Sequence, residues 1–63
     1  EYELLIFNRW GEIIFESNDY KYGWDGTNKK GELCKNDTYV YRIVINYTLD
    51  GPKEIFGHVN LLR

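Results

Sequence analysis

The stretch Leu4-Leu5-Ile6-Phe7-Asn8-Arg9-Trp10-Gly11-Glu12-Ile13-Ile14-Phe15 consists of two apolar runs separated by a short polar break that contains a glycine. Ile, Leu and Phe suit the pleated and largely buried surface of a β-sheet. Asn8 and Gly11 both tolerate the positive φ that a tight reversal requires. The stretch therefore predicts a β-hairpin against which the rest of the chain can pack.

Strand-like sequence recurs along the chain. Four strands are predicted, over residues 2–7, 12–16, 38–47 and 53–62. The third alternates between an apolar row and a mixed row, which is typical of a half-buried antiparallel strand. Asp50-Gly51 is a hairpin signal, and Gly57 indicates a bulge or a close backbone approach. No segment has a helical period or an internal repeat, so we predict an all-β fold, a small sandwich or partly open barrel.

Both tryptophans are predicted to be core residues of a single small domain. The chain has 63 residues, 17% of them aromatic, and a domain of this size buries only roughly 60% of its unfolded surface. Large rings must therefore supply much of the packing. We expect Trp10 and Trp24 to be at least partly buried against the inward row of the third strand, which is Tyr39, Tyr41, Ile43 and Ile45. Trp24 precedes Asp25, which predicts an Asx turn within the motif Trp24-Asp25-Gly26-Thr27.

Charge and hydropathy argue against two classes of partner. Eight Lys and Arg residues against ten Asp and Glu give a net charge of −2, and no basic cluster is longer than the Lys29-Lys30 pair, so we predict no nucleic-acid binding. No apolar run is long enough to span a bilayer, so we predict no membrane insertion. The absence of Met and the start in strand-like sequence predict a domain cut from a longer chain.

Few residues could carry catalytic or metal chemistry. His58 is the single histidine, whereas a zinc site needs three or four ligands. Ser17 is not flanked by the glycines of a nucleophile elbow. Cys34, the only cysteine, is interpreted as a buried or half-buried small hydrophobe. We therefore predict a non-catalytic domain with no metal site and no cofactor.

Three weaker alternatives stay open. Calcium could bind loop oxygens, although the EF-hand spacing is absent and the turn-forming interpretation is favoured; the residues concerned are Asp25, Asn28, Asp37 and Asp50. A sugar could stack on an aromatic platform, although packing is favoured for its third member; that platform would be Tyr20, Tyr22 and Trp24. The triplets Asn36-Asp37-Thr38 and Asn46-Tyr47-Thr48 match the N-glycosylation acceptor pattern, which is common by chance.

An ordered series of motifs covers nearly the whole chain. It consists of Leu5-Ile6-Phe7-Asn8-Arg9-Trp10-Gly11-Glu12-Ile13-Ile14-Phe15-Glu16-Ser17, Trp24-Asp25-Gly26-Thr27, Gly31, Thr38-Tyr39-Val40-Tyr41 and Gly57-His58-Val59-Asn60-Leu61-Leu62-Arg63. This combination closely resembles the gliding-motility-associated C-terminal domain family, the type B sorting domains of the type IX secretion system. The order of the motifs is far more specific than any single one.

The resemblance implies an immunoglobulin-like β-sandwich at the C-terminus of a larger secreted protein of Gram-negative gliding bacteria. Such a domain is recognised by protein components of the outer-membrane secretion machinery, and its cargo reaches the cell surface or the medium through the periplasm. Two features depart from the family. A Pro-Asn-Gly-Asp-Gly-type segment usually precedes the first strand, so an N-terminal strand or segment is expected to be missing. The turn before the third strand usually carries Pro and Gly, where this chain has Cys34-Lys35-Asn36-Asp37.

Machinery that reads many cargoes must recognise exposed turns and strand edges of the folded domain. We nominate the turn over residues 8–12 and the last strand over residues 57–63. The recognition residues predicted there are Asn8, Arg9, Gly11, Glu12, Gly57 and Arg63. The residues predicted to support the fold are Trp10, Trp24, Asp25, Gly26, Thr27, Tyr39 and Tyr41.

The alternative function is an immunoglobulin-like spacer or binding module of a cell-surface protein. The pattern of WDG, a following Gly and YxY is also similar to that of flagellar hook-capping domains. A sorting domain ends its polypeptide, whereas a spacer is followed by further domains.

Overall fold

The computed structural model describes residues 2–19, 21, 23–45, 49 and 51–62. They contain four strands, β1 (Tyr2–Phe7), β2 (Ile13–Ser17), β3 (Asp37–Ile45) and β4 (Lys53–Leu61). The strands form one antiparallel sheet in the order β2-β1-β3-β4. The predicted all-β class is confirmed. A sandwich requires a second sheet. The observed sheet is compatible with one half of an immunoglobulin-like sandwich, and that arrangement stays a prediction.

Within the described ranges no residue is helical, and no helix there could cross a membrane.

The strand bounds lie close to those predicted. β1 has the predicted bounds and is a central strand. β2 begins at Ile13 rather than at Glu12, because the backbone N–H of Glu12 is bonded to the Asn8 side chain within the turn. β3 begins one residue early, at Asp37, which pairs with Leu61 of β4. Residues 46 and 47 of the predicted third strand lie outside the described ranges.

The core lies on one face of the sheet. Leu4, Ile6 and Tyr39 are buried there, as expected from their alternate positions in β1 and β3. The segment between β2 and β3 covers this face with Trp24 and Cys34, which are both half-buried, so the prediction for Cys34 is confirmed. The other partly buried hydrophobic residues packed on this core are Tyr2, Ile14, Phe15, Tyr41, Ile43, Val59 and Leu61.

The opposite face has one buried residue in its centre. Leu5 is buried between Glu16 of β2 and Arg42 of β3, its cross-strand neighbours. The Arg42 Nε donates to Glu54 of β4 at 2.7 Å, and the apolar stems of such long side chains can cover a neighbouring leucine. Both faces of β1 are therefore shielded at this level, which agrees with the prediction of a central strand.

Candidate recognition surface

The hairpin between β1 and β2 is closed by a turn over residues 8–12, here called the first turn. The Asn8 side-chain Oδ1 accepts hydrogen bonds from the backbone N–H of Trp10 and of Glu12, each at 3.0 Å. Its Nδ2 donates to the Glu12 carboxylate at 2.7 Å. Gly11 has a φ of +81°, as predicted. Asn8 does not use a positive φ and shapes the turn through its side chain instead.

An ion pair joins the first turn to β3. The Arg9 guanidinium donates to Asp37 Oδ2 from Nε at 3.2 Å and from Nη2 at 2.7 Å. The backbone N–H of Thr38 donates to the other oxygen of the same carboxylate at 2.8 Å. These hydrogen bonds, that of Arg9 foremost, hold the pKa of Asp37 below its ordinary value. The turn is thereby tied to β3, the neighbour of β1 in the sheet.

Trp10 is exposed at the tip of this turn, so the prediction that it is partly buried was wrong. Its relative exposure is 68%. Trp10 belongs to the turn that follows the last residue of β1. The Arg9 guanidinium carbon lies 5.4 Å from the ring centroid, and Lys35 Nζ lies 5.8 Å from it. Both distances are within the range of cation–π attraction.

An open groove of about 300 Å³ lies at the same end of the sheet. Its lining residues are Asn36, Asp37, Thr38, Asn60 and Leu62. Thr38 Oγ1 donates to Asn60 Oδ1 at 2.7 Å, which links β3 to β4, and Leu62 is 81% exposed. We call the first turn together with Lys35 and this groove the recognition surface. It brings the nominated turn and the end of the nominated last strand together, with Asp37 between them.

Two nominated residues are not placed on this surface. Arg63 lies outside the described ranges. Gly57 lies in the middle of β4 opposite Tyr41 of β3, and a Cβ built on it would overlap the Tyr41 ring. The register of β3 with β4 has no bulge, and the group that approaches Gly57 closely is the Tyr41 side chain rather than another backbone segment. Gly57 therefore makes room for a ring on the core face.

The motif Trp24-Asp25-Gly26-Thr27 supports the core. Asp25 Oδ1 accepts from the Thr27 backbone N–H at 3.1 Å, which is the predicted Asx turn. The Trp24 Nε1 donates to the Thr27 carbonyl at 2.8 Å. The Trp24 ring meets Tyr39 edge-to-face with centroids 5.1 Å apart, and Tyr39 Oη donates to the Lys35 carbonyl at 2.7 Å. The predicted packing of Trp24 is confirmed.

A second turn repeats the first; the polar segment over residues 26–31 predicts a hairpin tip here, but the repetition was not predicted from the sequence. Residues 28–32, here called the second turn, read N-K-K-G-E where the first turn reads N-R-W-G-E. Asn28 Oδ1 accepts from the backbone N–H of Lys30 and of Glu32, and Asn28 Nδ2 donates to the Glu32 carboxylate. Gly31 also has a φ of +81°. The sequence signal for this repetition is the pattern N-x-x-G-E, which occurs twice at a distance of twenty residues. A pattern of five residues is too short to stand out as a structural repeat.

The weaker alternatives find little geometric support. Asp25 and Asn28 are engaged in turns, and in the described part of the chain no three His, Cys, Asp or Glu side chains are grouped as metal ligands. Trp24 packs on Tyr39 rather than facing a sugar, and the rest of that predicted platform, Tyr20 and Tyr22, lies outside the described ranges. So do Asp50 and the second glycosylation triplet, residues 46–48.

No curated protein and no solved structure matches the chain. A family model described as the CHU_C Type IX secretion signal domain matches residues 1–61, nearly the whole sequence. This agrees with the resemblance carried by the ordered motifs, and it favours a sorting signal over a spacer. The chain therefore belongs to the CHU_C Type IX secretion signal domain family, and it is a sorting signal for the type IX secretion system.

Proposed function

We propose that the secretion machinery binds this domain at the recognition surface. The main observation behind this proposal is the Arg9–Asp37 ion pair, which joins the first turn to the beginning of β3. Asp37 in turn pairs with Leu61 at the end of β4. The united surface presents the exposed indole of Trp10 and the exposed Leu62 around a polar groove. Apolar anchors surrounded by polar groups are typical of protein interfaces.

The domain, in this proposal, ends a larger secreted protein and has no catalytic role. Its partners are protein components of the outer-membrane machinery, and its cargo passes through the periplasm to the cell surface or the medium. Membership of a secretion-signal family supports this assignment. Asp37, which lines the groove, is held in place by Arg9 and by the backbone N–H of Thr38.

To test the sorting function, a reporter that carries a periplasmic leader is fused to the domain in its native chain context. The fusion is expressed in a host that has type IX machinery. We expect the reporter at the cell surface or in the medium. A reporter without the domain should stay in the periplasm. Export without the domain, or retention with a folded domain, would overturn the sorting function and favour a spacer.

The surface itself is tested by a matched pair of double variants. Arg9→Asp with Leu62→Glu changes one basic and one exposed apolar residue on the recognition surface. Lys53→Asp with Phe56→Glu makes equivalent changes on β4, away from the recognition surface, where Phe56 is 63% exposed. We expect the first pair to strand the reporter in the periplasm and the second to leave export unchanged. Equal export of both folded pairs would show that another surface is read.

A further inference from the structure

We propose that the Arg9–Trp10 pair is the specificity-determining anchor of the recognition surface, and that its receptor is a protein pocket with an apolar floor and a carboxylate rim. This rests on the proposed function and names the partner chemistry of the same surface. Three observations carry it: the duplicated turn, the exposure of Trp10 and the two cations beside its ring.

The duplicated turn shows that Trp10 is not needed for the backbone geometry. The two turns share an Asn, a Gly with the same φ and a Glu, and they share the same set of side-chain hydrogen bonds. The third position holds Trp10 in one turn and Lys30 in the other. A lysine therefore satisfies this position as well as an indole does. Local structure gives no reason for the tryptophan.

The exposure of Trp10 gives the indole a large unused apolar surface. Trp24 reaches the core, whereas Trp10 is 68% exposed. Trp and Arg are enriched among the residues that dominate binding energy at protein interfaces, where they fill pockets. The first turn is also held by three Asn8 side-chain bonds and by the Arg9–Asp37 pair. Less side-chain freedom is then lost on binding.

The two cations define the rim of the receptor pocket. Arg9 and Lys35 both lie within 6 Å of the Trp10 ring centroid, so any pocket that takes the indole also meets two positive charges. Arg9 keeps Asp37 as its partner, so Lys35 is the charge whose burial without a partner would be costly. A carboxylate at the rim would pair with Lys35 and would suppress binding of the wrong partners. An apolar pocket without acidic groups fits the indole but not its neighbours.

The decisive experiment exchanges the displayed residues between the two turns in the reporter fusion. R9K/W10K gives the first turn the residues of the second, and K29R/K30W is the matched control. We expect R9K/W10K to keep its thermal midpoint within a few degrees and to lower export roughly tenfold or more, the effect of losing a dominant anchor. K29R/K30W should be exported like the parent. Parental export of folded R9K/W10K overturns the inference.

The charge of the rim is tested separately at Lys35. Lys35→Glu reverses the charge beside Trp10, while Lys35→Arg keeps it. We expect export to fall severalfold with Lys35→Glu and to be retained with Lys35→Arg. Equal export of the two variants would overturn the carboxylate rim. Retention of the parent fusion in the periplasm would instead refute the sorting function, so the two failures are distinguishable.

Discussion

The two tryptophans of this chain have opposite environments although both lie in loops beside a strand. Trp24 is half-buried, donates its N–H to Thr27 and packs edge-to-face on the buried Tyr39. Trp10 stands at a turn tip, mostly in solvent. Because Trp24 is half-buried and its N–H is hydrogen-bonded, it is a structural residue. The exposed indole of Trp10 is accessible to a binding partner.

Substitution of the two indoles should therefore affect stability very differently. Trp24→Ala should lower the free energy of unfolding by about 3–5 kcal/mol. The free energy of unfolding expected for a domain of 63 residues is about 3–9 kcal/mol, so this variant should be largely unfolded. Trp10→Ala should stay within about 0.5 kcal/mol of the parent, as exposed sites generally do. Thermal unfolding followed by circular dichroism distinguishes them. A cooperative transition of Trp24→Ala near the parent midpoint would remove this ring from the core.

Gly57 is a second residue whose role is set by a single contact. A methyl group there would overlap the Tyr41 ring, so Gly57→Ala should destabilise the domain by about 1–3 kcal/mol, the usual cost of overpacking. Gly23→Ala is the matched control, because a methyl group at that position would meet no atom within 4 Å. Urea denaturation measures both. The cost of Gly57→Ala should shrink in a Tyr41→Ala background, and an unchanged cost there would argue against the ring contact.

At the scale of elements, the two N-x-x-G-E turns have the same internal bonds but different surroundings. The first joins β1 and β2, which pair along their length. The second closes only the isolated bridge between Thr27 and Leu33. Loss of the Asn side-chain hydrogen bonds should therefore destabilise the sheet more in the first turn than in the second.

Asn8→Ala should cost about 1 kcal/mol or somewhat more, since it removes the acceptor of two backbone N–H groups, and Asn28→Ala should cost less. Urea midpoints of the two variants give the comparison. Asn8→Asp keeps the acceptor but places a second carboxylate beside Glu12 in place of the donating amide, so it should also be less stable than the parent. Equal or reversed costs of the two alanine variants would contradict the difference in surroundings.

For the whole molecule, the Arg9–Asp37 pair connects the hairpin of β1 and β2 to the half of the sheet formed by β3 and β4. The hydrogen bond from Arg9 is the leading cause of the lowered pKa of Asp37. A carboxyl whose pKa is lower in the folded state stabilises that state above its unfolded pKa, and the stabilisation is lost as the pH falls through the folded value.

The stability advantage of the parent over Asp37→Asn should thus be fully present at neutral pH and should fade below about pH 4, the ordinary range of aspartate. Urea midpoints of both proteins between neutral and strongly acidic pH provide the measurement. Arg9→Lys is a useful companion, because it keeps the charge but loses the two-pronged contact. A difference between parent and Asp37→Asn that does not change with pH would show that the ion pair does not contribute.

Much of the fold could be predicted because its determinants are local. Side chains alternate with a period of two in β1 and β3, and turn-forming residues lie between the strands. The strand bounds could therefore be predicted to within about two residues. The Asx turn at Asp25 also depends on nearby residue types, whereas the ring beside Gly57 comes from Tyr41 on the opposite strand. The ordered motifs further identified the secretion-signal family, which the family match confirmed.

What the sequence determined by itself was the set of strands, the turns between them and the family of sorting signals. Only the tertiary structure decided which side of the molecule each residue reaches. Arg9 meets Asp37 across 28 positions of chain, and that meeting depends on the pairing of β1 with β3 rather than on either local pattern. The same pairing leaves Trp10 beyond the end of β1 and brings Trp24 over Tyr39. A tryptophan's hydrophobicity is the same in both places, and only non-local packing distinguishes a core ring from an exposed one.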